Sequence, residues 1–419
     1  MFHVYSDGML KLPNNEKSYW REAYPEAMYP TLQQDVVVDV AVAGAGISGL
    51  TAAYLLKQVG FTVAVLEKST VGGGTTGRTT GKVTSQHNLV YYDLLKRFGK
   101  ETARMYGEAN QAAIEQIDTI VSTEKISCDW QREDNYVFTD NSAKVALFRQ
   151  EAEVAAELGL PATFETNLPL PFKIEGAVKF TGQAKINSQK YLLGLARAIN
   201  GNGSYVFENS NVIGFKDGNP GRVRTKRAAI VAKNIIVATN VPAFPLLARG
   251  SYCLLEYPVE SYIVAGRLSK ELKGMYISPD DHHYSILPVE VNGERTLLIG
   301  GEGHFSPLRG NRAARYQRLA SYAEKHFGVT SITHHWSDRD YLAYDNIPLI
   351  GKLYPWSKHL YVATAFKKWG LSSGTVAGMI LSDLIAGKET ERASTFDSTR
   401  LKPLASIPRV VASYMTGKN

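Results

Sequence analysis

The spacing of apolar residues changes period several times along this chain, and each change predicts an element. Residues 35–46 read DVVVDVAVAGAG, a Val-rich run that ends in glycines. Such a run predicts a parallel strand buried on both faces that feeds a tight turn. The apolar positions of ISGLTAAYLLKQV predict a helix from Ile47 to Val59, with Gly60 as its stop. FTVAVLEK then predicts a second buried strand. From Tyr91 the period is helical through YYDLLKRFGKETARMYGEANQAAIEQIDTIV. Strand-like alternation appears later in YPVESYIVAGRL, MYISP, HYSILPVE and TLLIGGEGH. That alternation suits an antiparallel sheet with one covered face. Near the end, WGLSSGTVAGMILSDLIAG predicts a helix with Gly370, Gly374 and Gly378 at or inside its start and Met379, Ile380, Leu384 and Ile385 on its apolar side.

Composition narrows the picture by exclusion. The 419 residues suggest two domains. The formal charge of +7 suits an acidic ligand. No run of five Lys/Arg and no basic stripe with interleaved aromatics is present, so no nucleic acid is expected. Cys128 and Cys253 stand in neither C-x-x-C nor C-x-H arrangements, which argues against structural zinc and iron–sulfur sites and for a reducing, cytoplasmic setting. His282, His283 and His304, with Asp280 and Asp281 nearby, lack metal spacing on one helix, so no metal is expected. The amino-terminal segment has no signal pattern, and no apolar run reaches the ~18–20 residues of a membrane helix. The last residues, LASIPRVVASYMTGKN, read as a docked or frayed tail. No Ser/His/Asp or Cys/His pair suggests covalent catalysis.

The chemistry begins at Gly44, Gly46 and Gly49, which form G-x-G-x-x-G between the first strand and the first helix. Gly44 permits the turn, Gly46 lets backbone approach a pyrophosphate, and Gly49 lets helix pack on strand. Ile47 and Ser48 open the helix, whose free N–H groups favour phosphate. Glu67, followed by Lys68, ends the second strand near the ~20-residue spacing of an acid that holds a ribose diol. A Glu there repels a 2′-phosphate. Directly after comes VGGGTTGRTTGKVTSQH, 71–87. Its small side chains, hydroxyls and amides suit a diphosphate and a ribityl chain, which FAD has and NAD lacks. Gly74, Thr75, Thr76, Thr80 and Gly81 are the expected contacts.

Together GAGISG, LEK and GGGTTGRTTGKV resemble the D-amino-acid-oxidase-like family of flavoproteins, over about residues 35–400. The resemblance identifies AKINSQKYLLGLARAI (184–199) with the helix that leads back into the FAD domain. It identifies SYVFENSNVIGF (204–215) with a strand that touches adenine near Val212. AAIVAKNIIVATN (228–240), with Ala238 and Thr239, is similar to a later strand. DYLAYDNIPLIG, with Gly351, and LYVATAFKKWGLSSGTVAGMILSDLIAG are similar to the closing motif, where a loop covers the flavin. Amides near Gly370, Leu371, Ser372 and Thr375 would then face the flavin edge that becomes negative on reduction.

The resemblance implies an α/β fold with a Rossmann-like FAD-binding domain at 1–90, 184–245 and 335–405. Interleaved with it is an α+β antiparallel-sheet substrate domain at 91–183 and 246–334, and 406–419 form a tail. It implies oxidation of a C–N bond in a small amine or amino acid by hydride transfer to flavin N5, giving an imine. Oxygen or a separate acceptor would take the electrons. Candidate catalytic residues are Tyr262, Tyr284, His304 and Lys368; His283 is a further pocket candidate, Lys367 a second lysine beside the flavin turn, and Arg339 is open between binding a substrate carboxylate and a structural salt bridge. Trp369 is expected to pack rather than stack on the cofactor. In some relatives a histidine of the loop after the second strand bonds covalently to FAD. Arg78 holds that position here, so dissociable FAD is expected, with His87 the nearest histidine. A closer likeness is to bacterial members that carry a carboxy-terminal Rieske domain, seen in TTGKVTSQH, WSDRDYLAYDNIPLIG and FKKWGLSSGT. Neither Cys fits the Rieske pattern. A flavin-containing redox carrier for a separate iron–sulfur or quinone acceptor is therefore the alternative reading.

Overall fold

A computed structural model describes residues 10–22, 24, 27–241, 250–280, 283–291, 293–306 and 310–408. Two sheets organise them. The first runs in the order Leu349–Lys352, Leu360–Thr364, Ala229–Val237, Val36–Ala43, Val63–Leu66, Tyr205–Phe207. Its central strands are parallel, Val40 pairing with Val63 on one side and Asn234 on the other. Val40 to Ala43 are fully buried, as a strand sandwiched between layers requires. A hairpin of Gly214–Lys216 and Gly221–Arg224 adds antiparallel strands beside Ala229–Val237.

The second sheet is mostly antiparallel. Its order is Ile332–Ala343, Glu256–Arg267, Glu294–Phe305, Ser285–Val291, Met275–Ile277, Gln131–Thr139, Gly176–Lys185, Lys82–Val83, with Ala162–Glu165 beside Gly176–Lys185. One pair, Met275–Ile277 with Gln131–Thr139, is parallel. Helix Arg312–Phe327 packs on this sheet through Tyr316, Leu319, Ala320 and Ala323. Asn311 caps it, accepting from the Ala314 N–H at 3.0 Å, and Gly328 ends it with φ 65°.

The seams expected at residues 90, 183 and 334 do not coincide with the sheets. Lys82–Val83 joins the second sheet through Gly176–Lys185. Ile332–Ala343 joins it as well, because its whole length pairs with Glu256–Arg267. Conversely, helices Tyr91–Phe98 and Lys100–Thr123, parted at Gly99 (φ 85°), pack toward the first sheet's helices. Tyr106, Ala109 and Ala113 share a core with Leu371, Val376 and Ala377.

The closest helix pair is Ile47–Gln58 and Gly370–Ile385. A Cβ on Gly374 would stand 2.6 Å from Ile47 Cγ2, and one on Gly378 2.6 Å from Thr51 Cβ. These glycines therefore seat one helix on another. The packing sets two helix N-termini side by side at the carboxyl end of the parallel strands, where doubly wound folds bind ligands.

Candidate functional site

A cavity of about 1010 Å³ opens where the two sheets meet, at the upper end of the ~300–1,000 Å³ range of cofactor and ligand sites. One end is built by the glycine turn. Gly44, with φ 107°, leaves no room for a side chain, since a Cβ would stand 2.3 Å from Ala238 O. Gly49 is equally tight, 2.1 Å from Gly44 O, and closes helix onto strand outside the cavity wall. At Gly46 a Cβ would meet only Thr76 Oγ1 at 3.3 Å, and at Gly74 and Gly370 nothing within 4 Å. Those three glycines present bare backbone to the cavity. Helices Ile47–Gln58 and Gly370–Ile385 both start without a side-chain cap, at Gly46 and Trp369. Uncapped first turns facing a cavity suit a ligand with anionic groups. The Ile47 N–H donates to Thr76 Oγ1 at 3.2 Å, which ties the 72–80 loop to the first helix.

Glu67 lies in the wall, 8% exposed. Its carboxylate accepts from the Ala45 N–H at 3.0 Å, the Ser69 N–H at 3.0 Å and the Ser69 hydroxyl at 3.1 Å. A carboxylate has about four acceptor positions, so the acid is already fixed and keeps room for one further hydroxyl. Lys68, Val212, Ala238 and Thr239 line the same end. Gly74, Thr75, Thr76, Arg78 and Thr80 form the long side. The Arg78 guanidinium stands 3.9 Å from Asp338 Oδ1.

Several residues proposed from sequence lie elsewhere. Gly81 is packed against Ile186 O and Trp20, and Gly351 sits beside Ser398. Ser372 and Thr375 open the closing helix but point into it. Ser372 Oγ is 3.0 Å from His87 Nε2, and Thr375 Oγ1 donates to Leu371 O at 2.8 Å. Only Gly370 and Leu371 of that turn reach the wall. Tyr284 stacks on Tyr322 at 3.7 Å, outside the cavity, and His304 lies parallel to the Tyr262 ring at 5.8 Å without reaching it. Tyr262 is a wall residue, 1% exposed, with Tyr316 edge-on at 5.1 Å. His283, Arg339, Lys367 and Trp369 are also in the wall. His282 and Asp281 lie outside the described residues. Asp280 pairs with Lys144 at 2.5 Å. Among the described residues, no three His, Cys, Asp or Glu side chains gather as a metal site. Nor is any helix among them long and apolar enough to cross a membrane.

His87 is fully buried behind the wall. Nδ1 lies 2.6 Å from Tyr106 Oη, Nε2 lies 2.9 Å from Thr84 O, and the ring stacks on Trp369 at 4.9 Å. Burial pulls its pKa down to about 3, so it stays neutral. Its place is structural, under Trp369.

Two lysines, Lys82 and Lys368, face the other end. Lys368 stands exposed in the cavity wall, and desolvation lowers its pKa against the opposing pull of Asp340. Its ammonium lies where a Cβ on Gly303 would come within 2.8 Å. The Lys368 backbone N–H donates to Asp340 Oδ2, and Asp340 Oδ1 accepts from Tyr341 N–H at 2.9 Å. Burial, mainly, raises the Asp340 pKa to about 6. Ala365, Lys367 and Lys368 all have φ between 52° and 68°. Non-glycine residues in that region cost roughly 1–3 kcal/mol each and cluster at functional sites. Sequence reading missed Asp340 and Lys82. Lys82 Nζ donates to Tyr276 O at 2.8 Å and to Ser285 Oγ at 2.6 Å. A lone lysine after a Gly/Thr loop, inside a short strand-like KVT, was the available signal.

Comparison with known proteins bears on this geometry. The profile of a family described as FAD dependent oxidoreductase matches residues 39–384. A putative Rieske 2Fe-2S iron–sulfur protein of Bacillus subtilis (strain 168) is 34% identical over 398 residues, covering 94% of this chain and 78% of that protein. A gamma-glutamylputrescine oxidoreductase of Escherichia coli (strain K12) is 26% identical over 391 residues, 90% of each chain. The crystal structure of glycine oxidase from Geobacillus kaustophilus superposes with a TM-score of 0.74 at 20% identity, covering 87% of this chain and 99% of that one.

Proposed function

The chain belongs to the FAD dependent oxidoreductase family, and from that premise we propose that it oxidises the C–N bond of a small amine or amino acid. The enzyme uses FAD. The observation that carries the reading is the division of one cavity into two chemically distinct ends. One end offers uncapped helix starts, bare glycine backbone and a fixed acid. The other offers an apolar sheet floor flanked by two lysines, Lys82 buried and Lys368 exposed in the wall.

When bound, FAD supplies the acceptor for a hydride from the carbon beside the amine nitrogen, which leaves an imine. The chain's own part is placement. Glu67 would hold the ribose, Gly46 and Ile47 the diphosphate, and Thr75, Thr76 and Thr80 the ribityl side. Gly370 and Leu371 would direct helix amides toward developing negative charge. Tyr262, Ile263 and Val259 would exclude water from the reacting carbon. Lys368 would add a positive charge there. Positioning of this kind needs no strong base, consistent with a wall whose acids are engaged by backbone amides and cations. The relatives point the same way: one is named for gamma-glutamylputrescine and another for glycine.

The test is anaerobic flavin bleaching across a panel of amines and amino acids. At least one member should bleach the 450-nm band of the holoenzyme within seconds. A panel that leaves the flavin oxidised throughout would sink amine oxidation and favour a carrier of electrons between other proteins. Peroxide release on readmitting air would mark an oxidase, and its absence a dehydrogenase.

We further expect the flavin to dissociate. Arg78 cannot form the histidyl linkage, and His87 is sealed beneath Trp369. Acid precipitation should leave all yellow colour in the supernatant. Flavin fluorescence that stays with the pelleted chain on a denaturing gel would contradict this.

A further inference from the structure

We propose that Ser18, Trp20 and Arg21, on the amino-terminal segment, are positioning residues for the cofactor. They hold the 70–81 loop from behind, so that its carbonyls are kept out of the space that FAD takes. Behind this stands the reading of that loop as one side of the FAD grip; the substrate plays no part in it. All three residues precede the stretch 39–384 that matches the family profile.

The segment makes a single turn at Tyr19–Arg21, with Ser18 at its head. A serine at the head of a helical turn commonly accepts from an amide of that turn. Ser18 makes no such bond and donates instead to Gly77 O at 2.7 Å. Trp20 Nε1 donates to Thr79 O at 2.7 Å. Arg21 donates to Thr70 Oγ1 at 3.0 Å and reaches Gly73 O at 3.5 Å. Two donors from elsewhere in the chain complete the set: Gln189 Nε2 to Val71 O at 2.9 Å, and Trp336 Nε1 to Arg78 O at 2.7 Å. The carbonyls of Val71, Gly73, Gly77, Arg78 and Thr79 thus all accept from side chains, and none of those five side chains lines the cavity. Ser18 and Trp20 are themselves buried, so little water competes for the bonds.

A loop this rich in glycine does not choose one conformation by itself. Each peptide can turn its carbonyl or its N–H toward the cavity. A carbonyl turned inward meets a diphosphate with like partial charge, whereas an N–H meets it as a donor. Donors behind the loop settle the choice, because a buried carbonyl is costly unless it accepts a bond. Close packing adds to the hold. A Cβ on Gly77 would stand 2.9 Å from Arg21 Cδ, and one on Gly81 3.1 Å from Trp20 Cζ2. Within the loop, Thr75–Arg78 forms a 3₁₀ turn. The bonds from Ser18 and Trp336 keep the carbonyl end of that turn away from the cavity. A loop ordered in advance spares FAD binding the cost of ordering it.

Ser18→Ala and Arg21→Met each remove donors without touching the cavity wall. FAD release from diluted holoenzyme, followed by the rise of flavin fluorescence, should be about tenfold faster in each and faster still in the double variant. FAD titrated into stripped protein should bind about tenfold more weakly, while the stripped protein keeps its melting temperature within a few degrees. Glu22→Gln lies on the same segment, but its partners are Lys17 and His334, so FAD release should match wild type. Release and affinity within about twofold of wild type in both Ser18→Ala and Arg21→Met overturn the proposal. So does a lowered melting temperature with FAD affinity kept. Should Ser18→Ala fail to fold, Arg21→Met, whose side chain is only half-buried, decides by the same limits. Thr76→Val, in the cavity wall, tests the loop itself. If Thr76→Val alone weakens FAD, only the proposal falls. If none of the three variants weakens it, the loop is not the grip and both fall.

Discussion

Gly44→Ala is expected to purify colourless. The added Cβ would stand 2.3 Å from Ala238 O and 2.9 Å from its carbonyl carbon, both backbone atoms just past the end of strand Ala229–Val237, where the Ala238 N–H donates to Ala43 O at 2.8 Å. A flexible side chain could move aside; backbone fixed by the Ala238 N–H to Ala43 O bond cannot do so without straining it. The residue also sits at φ 107°, where alanine is strained by roughly 1–3 kcal/mol. Overpacking adds typically about 1–3 kcal/mol. The turn must therefore shift, and with it the start of the helix that carries the diphosphate amides. Displacements near 1 Å in such a site cost about 10²-fold, so FAD affinity should fall by at least that factor. The 450/280-nm absorbance ratio and a flavin-fluorescence titration measure it. Gly46→Ala is the control: its Cβ meets only Thr76 Oγ1 at 3.3 Å, so it should keep the wild-type melting temperature within a few degrees while binding FAD more weakly. A yellow Gly44→Ala protein with wild-type affinity would refute the assigned phosphate turn.

The second large effect is expected at Lys368. Lys368→Met keeps the length and apolar stem of the side chain and removes its charge. Its ammonium is buried against Gly303 and faces the Ser261 side of the floor. Three left-handed residues and the Asp340 clamp hold it there. Removing one preorganised donor from a water-poor site costs about 10²–10³ in rate. A loss of that size in kcat/KM is expected, with FAD content within twofold of wild type. Stopped-flow measurement of flavin reduction and of its reoxidation, taken separately, shows which half-reaction the charge serves. Both rates within threefold of wild type would remove Lys368 from the catalytic set.

The first sheet was legible because its signals are local. A strand, a glycine turn and a helix follow one another within residues 36–58, and each is dictated by its neighbours in sequence. The side of an element that a residue occupies was less legible. Ser285 faces the cavity, so Tyr284 next to it faces helix Arg312–Phe327. Glu302, at φ 57° in a strand whose register shifts nearby, breaks simple alternation before His304. Ser372 and Thr375 lie three apart on one helical face, and their hydroxyls turn to His87 and to Leu371 O. Helix Arg312–Phe327 stood in a block read through its strands. Lys82 and Asp340 were hidden for another reason. What distinguishes them is burial and the identity of their partners, Tyr276, Ser285 and the Lys368 amide, which come from other parts of the chain.

The glycine-seated pairing of Ile47–Gln58 with Gly370–Ile385 has a consequence during synthesis. The two helix starts that frame the cavity come from opposite ends of the folded sequence. While the ribosome is still making the middle of the chain, the first helix exposes Ile47 and Thr51 with nothing to cover them. The flavin can be gripped at both ends only after the closing helix has emerged. Cofactor capture is therefore a late, largely post-translational event, and a cell short of flavin would accumulate chains whose late-made closing helix lacks the ligand that locks it down.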